Sequence, residues 1–343
     1  MSAALTFDDI SFRHVSLLTD DRGILEHAKG VTPRYQHGYC TDDNARLLLV
    51  ASRASGHATP VRVLASIGLQ FVLDAMQPDG TVRNRLTFER CWIDDPCLND
   101  CWGRSLWALG TAFNRSDDHG IRSQAIEAFD RSCNLRSEYL RSMAFAALGA
   151  AEVLEIDPDH EGAATLLTAA SERIVSLSLD ASTPAWSWPE PRLTYANALL
   201  PETLIAAGSL LNEPSMLHWG LELLEWLVDE ETLDGHLSVT PTNGRGPGDP
   251  KPAFDQQPIE VATLADAAAR ALRSTKDAKW KDTLRMAIDW FDGANDAGLP
   301  MMDRDSGGGF DGLHRNAVNT NQGAESTLAV ISTLQHLPLV HAP

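Results

Sequence analysis

Residues 254–291 read FDQQPIEVATLADAAARALRSTKDAKWKDTLRMAIDWF. Apolar side chains recur at helical spacing over 259–272 and again over 280–291, so the stretch predicts two helices. The short link around Thr275-Lys276-Asp277 makes them antiparallel neighbours. A polar run, Phe254-Asp255-Gln256-Gln257, leads into the first helix, whose opening turn carries Glu260. The unit is a helical hairpin with a polar lead-in.

Outward from this hairpin the pattern repeats. Helical spacing covers 45–55, 61–76, 102–113, 136–154, 162–177, 196–211, 216–228 and 324–337. Two more helices are expected within 5–30 and around 121–130, giving roughly eleven to twelve, the content of six hairpins. Alternating patterns are short, and 80–86 and 235–239 read as small β-hairpins. Short links at 56–60, 157–160, 212–214 and 275–277 alternate with long polar, aromatic loops at 31–43, 77–100, 180–194, 231–258 and 293–322. Strict alternation puts every long loop on one rim of a closed array, and long loops usually carry function. No Ser/Gly-rich linker or charge block interrupts the rhythm. Residues 1–343 therefore read as one domain, an all-α (α/α)6 toroid with minor β-hairpins in its long loops and a core over about 35–337. A length of 343 residues in one domain suits such a closed architecture.

The chain has 47 acidic and 28 basic residues, a net charge of -19. That field repels phosphate backbones and anionic lipid, so nucleic acid and membrane are not expected partners. A small neutral carbohydrate fits better. No apolar run approaches the ~18 residues of a bilayer span. The opening residues lack the basic and apolar regions of a secretory signal, so a cytoplasmic location is expected. Cys40, Cys91, Cys97, Cys101 and Cys133 are expected to be reduced thiols. Cys91, Cys97 and Cys101 lack a CxxC pair and a matching second half, so no metal is expected. No cofactor is expected either. Gly307 to Gly312 lacks the Lys-Ser/Thr and helix of a phosphate cradle, Asp303 and Asp305 lack the remaining ligands of a calcium loop, and no GxSxG occurs.

Each long loop ends in carboxylates or amides at the start of the next helix. The segments are Thr41-Asp42-Asp43-Asn44-Ala45-Arg46, Asn99-Asp100-Cys101-Trp102-Gly103-Arg104, Trp188-Pro189-Glu190 through Tyr195-Ala196-Asn197, Asp255-Gln256-Gln257 with Glu260, and Asn319-Thr320-Asn321-Gln322 with Glu325. In a ring of helices they would converge on the axis, joined by Trp92, Trp186 and Trp188. Individually, Asp42, Asp43 and Asp100 suit helix caps or dipole partners as well as ligands. Arg46 and Arg104 could be helix pairs with Asp43 and Asp100, worth ~0.3–0.5 kcal/mol. Caps do not account for Gln256, Gln257, Glu260, Asn319, Asn321, Gln322 and Glu325. A cavity does.

The strings TDDNAR (41–46), DCWGRSLWALG (100–110), WSWPEPRLTYANALLPE (186–202), FDQQPIE (254–260) and VNTNQGAESTLA (318–329) resemble a bacterial family of glycosidase-like (α/α)6 proteins. Its members often occur fused to or beside retaining glycosyltransferases and inverting mannoside phosphorylases. The resemblance spans about residues 35–335 and implies the toroid, sugar chemistry and a functional association with a glycosyltransferase. Relatives carry Ser-Glu-Asp-Ser-His-Gly-Arg where this chain has Leu98 to Arg104. Asp100, Gly103 and Arg104 match, while Asn99 stands at the glutamate position.

Glycoside cleavage needs two carboxyl groups across one bond, aromatic faces for the sugar and side chains that grip hydroxyls. The expectation is a glycoside hydrolase or phosphorylase acting on a short manno- or gluco-configured oligosaccharide, with inversion. Glu190, beside Trp186 and Trp188, is the expected proton donor, with Asp255 or Asp43 as base and Asp100, Glu260 and Glu325 as further candidates. Asp42, Arg46, Trp92, Arg104, Trp186, Trp188, Tyr195, Asn197, Gln256, Gln257, Asp311, Asn319, Asn321 and Gln322 are the expected substrate contacts. Two alternatives stand beside this. A sugar epimerase or isomerase would need a histidine pair, for which His37, His236 and His314 are the loop candidates. A non-catalytic carbohydrate-binding module is the other.

Overall fold

The computed structural model of the chain describes residue 5 and residues 10–54, 59–181 and 186–341. The expected link at 56–60 lies largely outside the described residues, as does part of the 180–194 loop. In chain order the helices are α1 (Arg13–Leu18), α2 (Thr41–Arg53), α3 (Thr59–Ala75), α4 (Asp100–Arg115), α5 (His119–Ser132), α6 (Leu140–Leu154) and α7 (Glu161–Ala181). They continue as α8 (Leu199–Leu210), α9 (Pro214–Glu230), α10 (Pro258–Thr275), α11 (Lys279–Phe291), α12 (Ala324–Leu334) and α13 (Leu337–His341).

Packing arranges them as a closed double ring. Helices α2, α4, α6, α8, α10 and α12 each touch the next, and α12 returns to α2. Outside them α3, α5, α7, α9 and α11 back their own hairpin partners, and α1 backs α12. The two rings differ in composition, as their positions demand. All of α6 is buried, and its sequence LRSMAFAALGAAEVL is apolar or small nearly all round. Outer α11 buries one stripe, Trp280, Thr283, Leu284, Ala287, Ile288 and Phe291, at helical spacing. Each large apolar member of that stripe contributes roughly 1.5–3 kcal/mol.

Small residues let the inner helices close. A Cβ on Gly110 of α4 would meet the carbonyl oxygen of Gly149 of α6 at 2.1 Å, and one on Gly149 would meet that of Leu106 at 2.2 Å. Bulk at either position would wedge the two helices apart.

Two of the smaller expectations are met in part and a third is corrected. Within 5–30 only Arg13–Leu18 is described as helix. Beyond it the Asp20 carboxylate accepts from the amides of Arg22 (2.8 Å) and Gly23 (3.2 Å), an Asx turn that competes with helix. The 80–86 segment does not pair with itself; Arg85–Leu86 pairs with Tyr39–Cys40 from another loop. Residues 235–239 do take part in a hairpin, with Thr232–Leu233 against His236–Leu237, turning at Asp234 and Gly235, both at positive φ. No described helix is long and apolar enough to cross a membrane.

Candidate active site

The N-terminal ends of the inner helices open onto a cup of about 460 Å³. Asp42, Asp43 and Arg46 enter it from α2, Asp100 and Arg104 from α4, and Glu325 and Ser326 from α12. Gln257 sits just ahead of α10, Tyr195 comes from the loop before α8, and Asp311 and Asn319 come from the loop before α12. Every one of the five polar segments thus gives the cup at least one side chain.

None of these acids caps its own helix. Cys40 and Asn99 occupy the cap positions of α2 and α4 without side-chain cap bonds. The start of α2 is held by another loop: Asn84 Oδ1 accepts from the Thr41 amide at 3.0 Å, and Thr41 Oγ1 donates to the Arg83 carbonyl at 2.6 Å. Asp42 accepts from Asn84 Nδ2 at 2.8 Å, and the other acids find partners among arginines, hydroxyls and a thiol. Arg46 donates to Asp43 Oδ1 at 2.6 Å and to Glu325, bridging α2 to α12. Arg104 lies over the Phe145 ring, 3.9 Å from its centroid, with Nε 3.4 Å from Asp42 Oδ1. Asp100 accepts from Ser142 Oγ and from Tyr195 OH, both at 2.8 Å.

Burial raises two carboxyls and one thiol of the lining. Asp43 is 3% exposed, and loss of water pushes its carboxyl up to about 6 against the opposing pull of Arg46. Burial likewise raises Asp311, which accepts from the Gly323 amide at 2.8 Å. The Cys40 thiol, raised well above its ordinary value by burial and then by Asp43, donates to Asp43 Oδ2 at 3.1 Å.

Several expected contacts lie elsewhere. Glu190 is bound to the buried Arg141 instead of lying under an apolar cover, and Arg141 also donates to Asn197 Oδ1 and to the Tyr195 carbonyl, each at 3.0 Å. Glu260 is buried and accepts from the amides of Ala196 (2.6 Å) and Asn197 (3.4 Å); burial, then Glu231, lifts it to about 8. Glu190, Asn197 and Glu260 therefore shape the turn that presents Tyr195. Trp186 and Trp188 pack on Trp226 of α9, and Trp92 packs on Phe71. Asp255 pairs with His314 Nδ1 at 2.5 Å, away from the cup lining. Gln256 is fully buried and bonds Asp296 at 2.6 Å. Asn321 accepts from the Gly30 amide at 3.0 Å, and Gln322 donates to Asp303 at 3.0 Å.

Five lining residues escaped the sequence reading: Glu26, His27, Cys40, Gly323 and Ser326. The first two belong to the irregular segment after α1, tied in by a bond from the Ala324 amide to the Glu26 carbonyl at 3.1 Å. Only its lack of helical periodicity could have marked it. His27 stands edge-on to His37, ring centroids 4.8 Å apart, while His236 pairs with Asp296 at 2.9 Å.

The ligand atoms of Glu26, Cys40 and Asp43 lie within 4.8 Å of one another. Within this set Glu26 and Asp43 hold Arg85 and Arg46, and the Cys40 thiol donates to Asp43. Cys97 and Cys101 have sulfurs 3.8 Å apart, whereas the Cys91 sulfur turns to the Glu89 carbonyl.

No protein-family model and no curated protein matches the chain. Solved structures do. A sugar epimerase from a ruminal bacterium superposes with a TM-score of 0.73 at 12% identity, covering 98% of each chain. The fold is an (α/α)6 toroid. A D-mannose isomerase aligns with the toroid at TM-score 0.70 and 12% identity over 96% of this chain and 95% of its own. A GH76 α-mannanase from Bacteroides thetaiotaomicron gives 0.66 and 10% over 97% and 95%. The acidic cup described above lies at the end of the toroid where its inner helices begin.

Proposed function

We propose that this toroid is a glycoside-cleaving enzyme that acts on a short, neutral, manno- or gluco-configured oligosaccharide with inversion. The observation that carries the reading is the buried Asp43, its carboxyl pushed up to about 6 by burial, set among further carboxylates around one cup. Asp43 serves as the acid that protonates the leaving oxygen. Asp100 keeps an acceptor carboxylate, oriented by Ser142 and Tyr195, and serves as the base that activates water. Arg46 holds Asp43 in place and is itself tethered by Glu325. Asp311, Asn319 and Gln257 offer hydrogen bonds to hydroxyls from elsewhere on the lining. Water is favoured over phosphate as the acceptor. Arg46 and Arg104 are already engaged by acids, Arg192 pairs with Asp249 and Lys251 with Glu230, so no cation is left for a phosphate pocket from that set.

A second reading, a sugar epimerase or isomerase, has one observation in its favour: His27 lines the cup and its ring meets that of His37, centroids 4.8 Å apart. One experiment separates them. The chain is incubated with α- and β-linked gluco- and manno-disaccharides and their monosaccharides, and products are resolved by chromatography. Released reducing sugar, reduced ~10²–10⁴-fold by Asp43→Asn and by Asp100→Asn with sugar binding retained, is the expected result. Epimerised product without bond cleavage, abolished by His27→Ala, would establish the second reading instead. Binding without any turnover would leave a carbohydrate-binding module.

A further inference from the structure

Beside the cup lies a second cavity of about 530 Å³ that shares Asp42, Asp100 and Tyr195 with it. The hydrogen bond from Tyr195 OH to Asp100 Oδ2 forms part of the partition between the two. Its far wall is of a different kind from the cup. Tyr139, 51% exposed, and Tyr195, 42% exposed, both border it, and such rings suit the C–H face of a pyranose. Asp95 and Asn99 are exposed on the same wall, and neither side chain is taken up by an ion pair or hydrogen bond. Asp94 is already consumed by the amides of Asn84 (2.6 Å) and Arg85 (2.9 Å), which fixes the wall's backbone. The lining acids outnumber Arg85, itself bound to Glu26, so an anionic ligand is disfavoured.

We infer that this outer cavity seats a second glycosyl unit, so the substrate is a disaccharide or longer whose reacting bond crosses the partition at Asp100 and Tyr195. The inference rests on the sugar-enzyme reading above and extends it to a specific subsite. It also gives Asn99 a place: it faces the second ring, outside the cup, and with Tyr139 it selects that ring.

The test uses the full chain carrying Asp43→Asn, which blocks turnover, with and without Tyr139→Ala and Asn99→Ala. Calorimetry measures binding of gluco- and manno-configured disaccharides and of the parent monosaccharides. A disaccharide is expected to bind more tightly than its monosaccharide, and Tyr139→Ala to weaken only the disaccharide, by roughly three- to tenfold. Equal affinity for disaccharide and monosaccharide, unmoved by either substitution, overturns the outer subsite while the catalytic reading stands on its own turnover assay. Binding of no sugar at all overturns both. Because Tyr139 is half exposed at the cap of α6 and offers only its backbone to the helix start, its replacement leaves the fold intact, which the unchanged thermal unfolding midpoint verifies.

Discussion

Asp43 shows how one residue's chemistry is fixed by its surroundings. Its sequence context, the first turn of a helix three residues before an arginine, would ordinarily favour an ionised carboxylate. Burial overrides both neighbours and leaves the group titrating at about 6. If the protonated form does the work, activity falls as pH rises through about 6, nearly tenfold per unit well above it. A pH–rate profile of kcat/KM checks this, and a rate that stays level from pH 5 to 8 removes Asp43 as the acid. Asp42, Asp43, Arg46, Asp100, Arg104 and Glu325 could be read as cup residues because each sits in the opening turns of a helix that faces the axis. Glu190 could not be read correctly. Its partner Arg141 is 49 positions away on α6, a helix with no acid in its first turn to announce its role.

At the scale of elements, the contact between α4 and α6 matters most to the site, because Ser142 of α6 orients Asp100 of α4. The two helices approach through Gly110 and Gly149. Gly149→Ala forces a methyl group into the Leu106 carbonyl and should cost about 1–3 kcal/mol, read as a lowered thermal midpoint. Activity should fall with it even at temperatures where the variant is folded, since the Asp100–Ser142 bond is stretched. A variant as stable and as active as the parent would show that the helices do not pack so closely. Helix placement followed from periodicity to within a few residues, as α10 and α11 illustrate. Of the strand pairs, only the hairpin at 232–237 followed in the same way, because its turn is local. Arg85–Leu86 finds its partner in a loop more than forty residues earlier, and no local pattern encodes that.

The whole ring is tied at the opposite end from the cup by buried charge. Asp266 of α10 binds Arg53 of α2 at 2.8 Å and His336, just past α12, at 2.7 Å. Burial alone would raise Asp266, yet Arg53 and His336 hold it at about 2. A carboxyl depressed in the folded state contributes stability that is present above its ordinary value and lost as pH falls through its folded one. The toroid should therefore lose stability between about pH 4 and 2, and Asp266→Ala should lose it at pH 7 by ~3–5 kcal/mol, because Arg53 is left buried without its partner. Urea unfolding of both proteins across pH measures each effect; an unchanged midpoint for the variant would dismiss the network as a fastening. By itself, then, the order of residues determined the helices, their pairing into hairpins and the rim on which the polar loops gather, because periodicity and link length are local properties. Only the closed ring decided which acids share a cup and which are spent on arginines or backbone amides, because burial and partner distance arise between residues far apart in the chain.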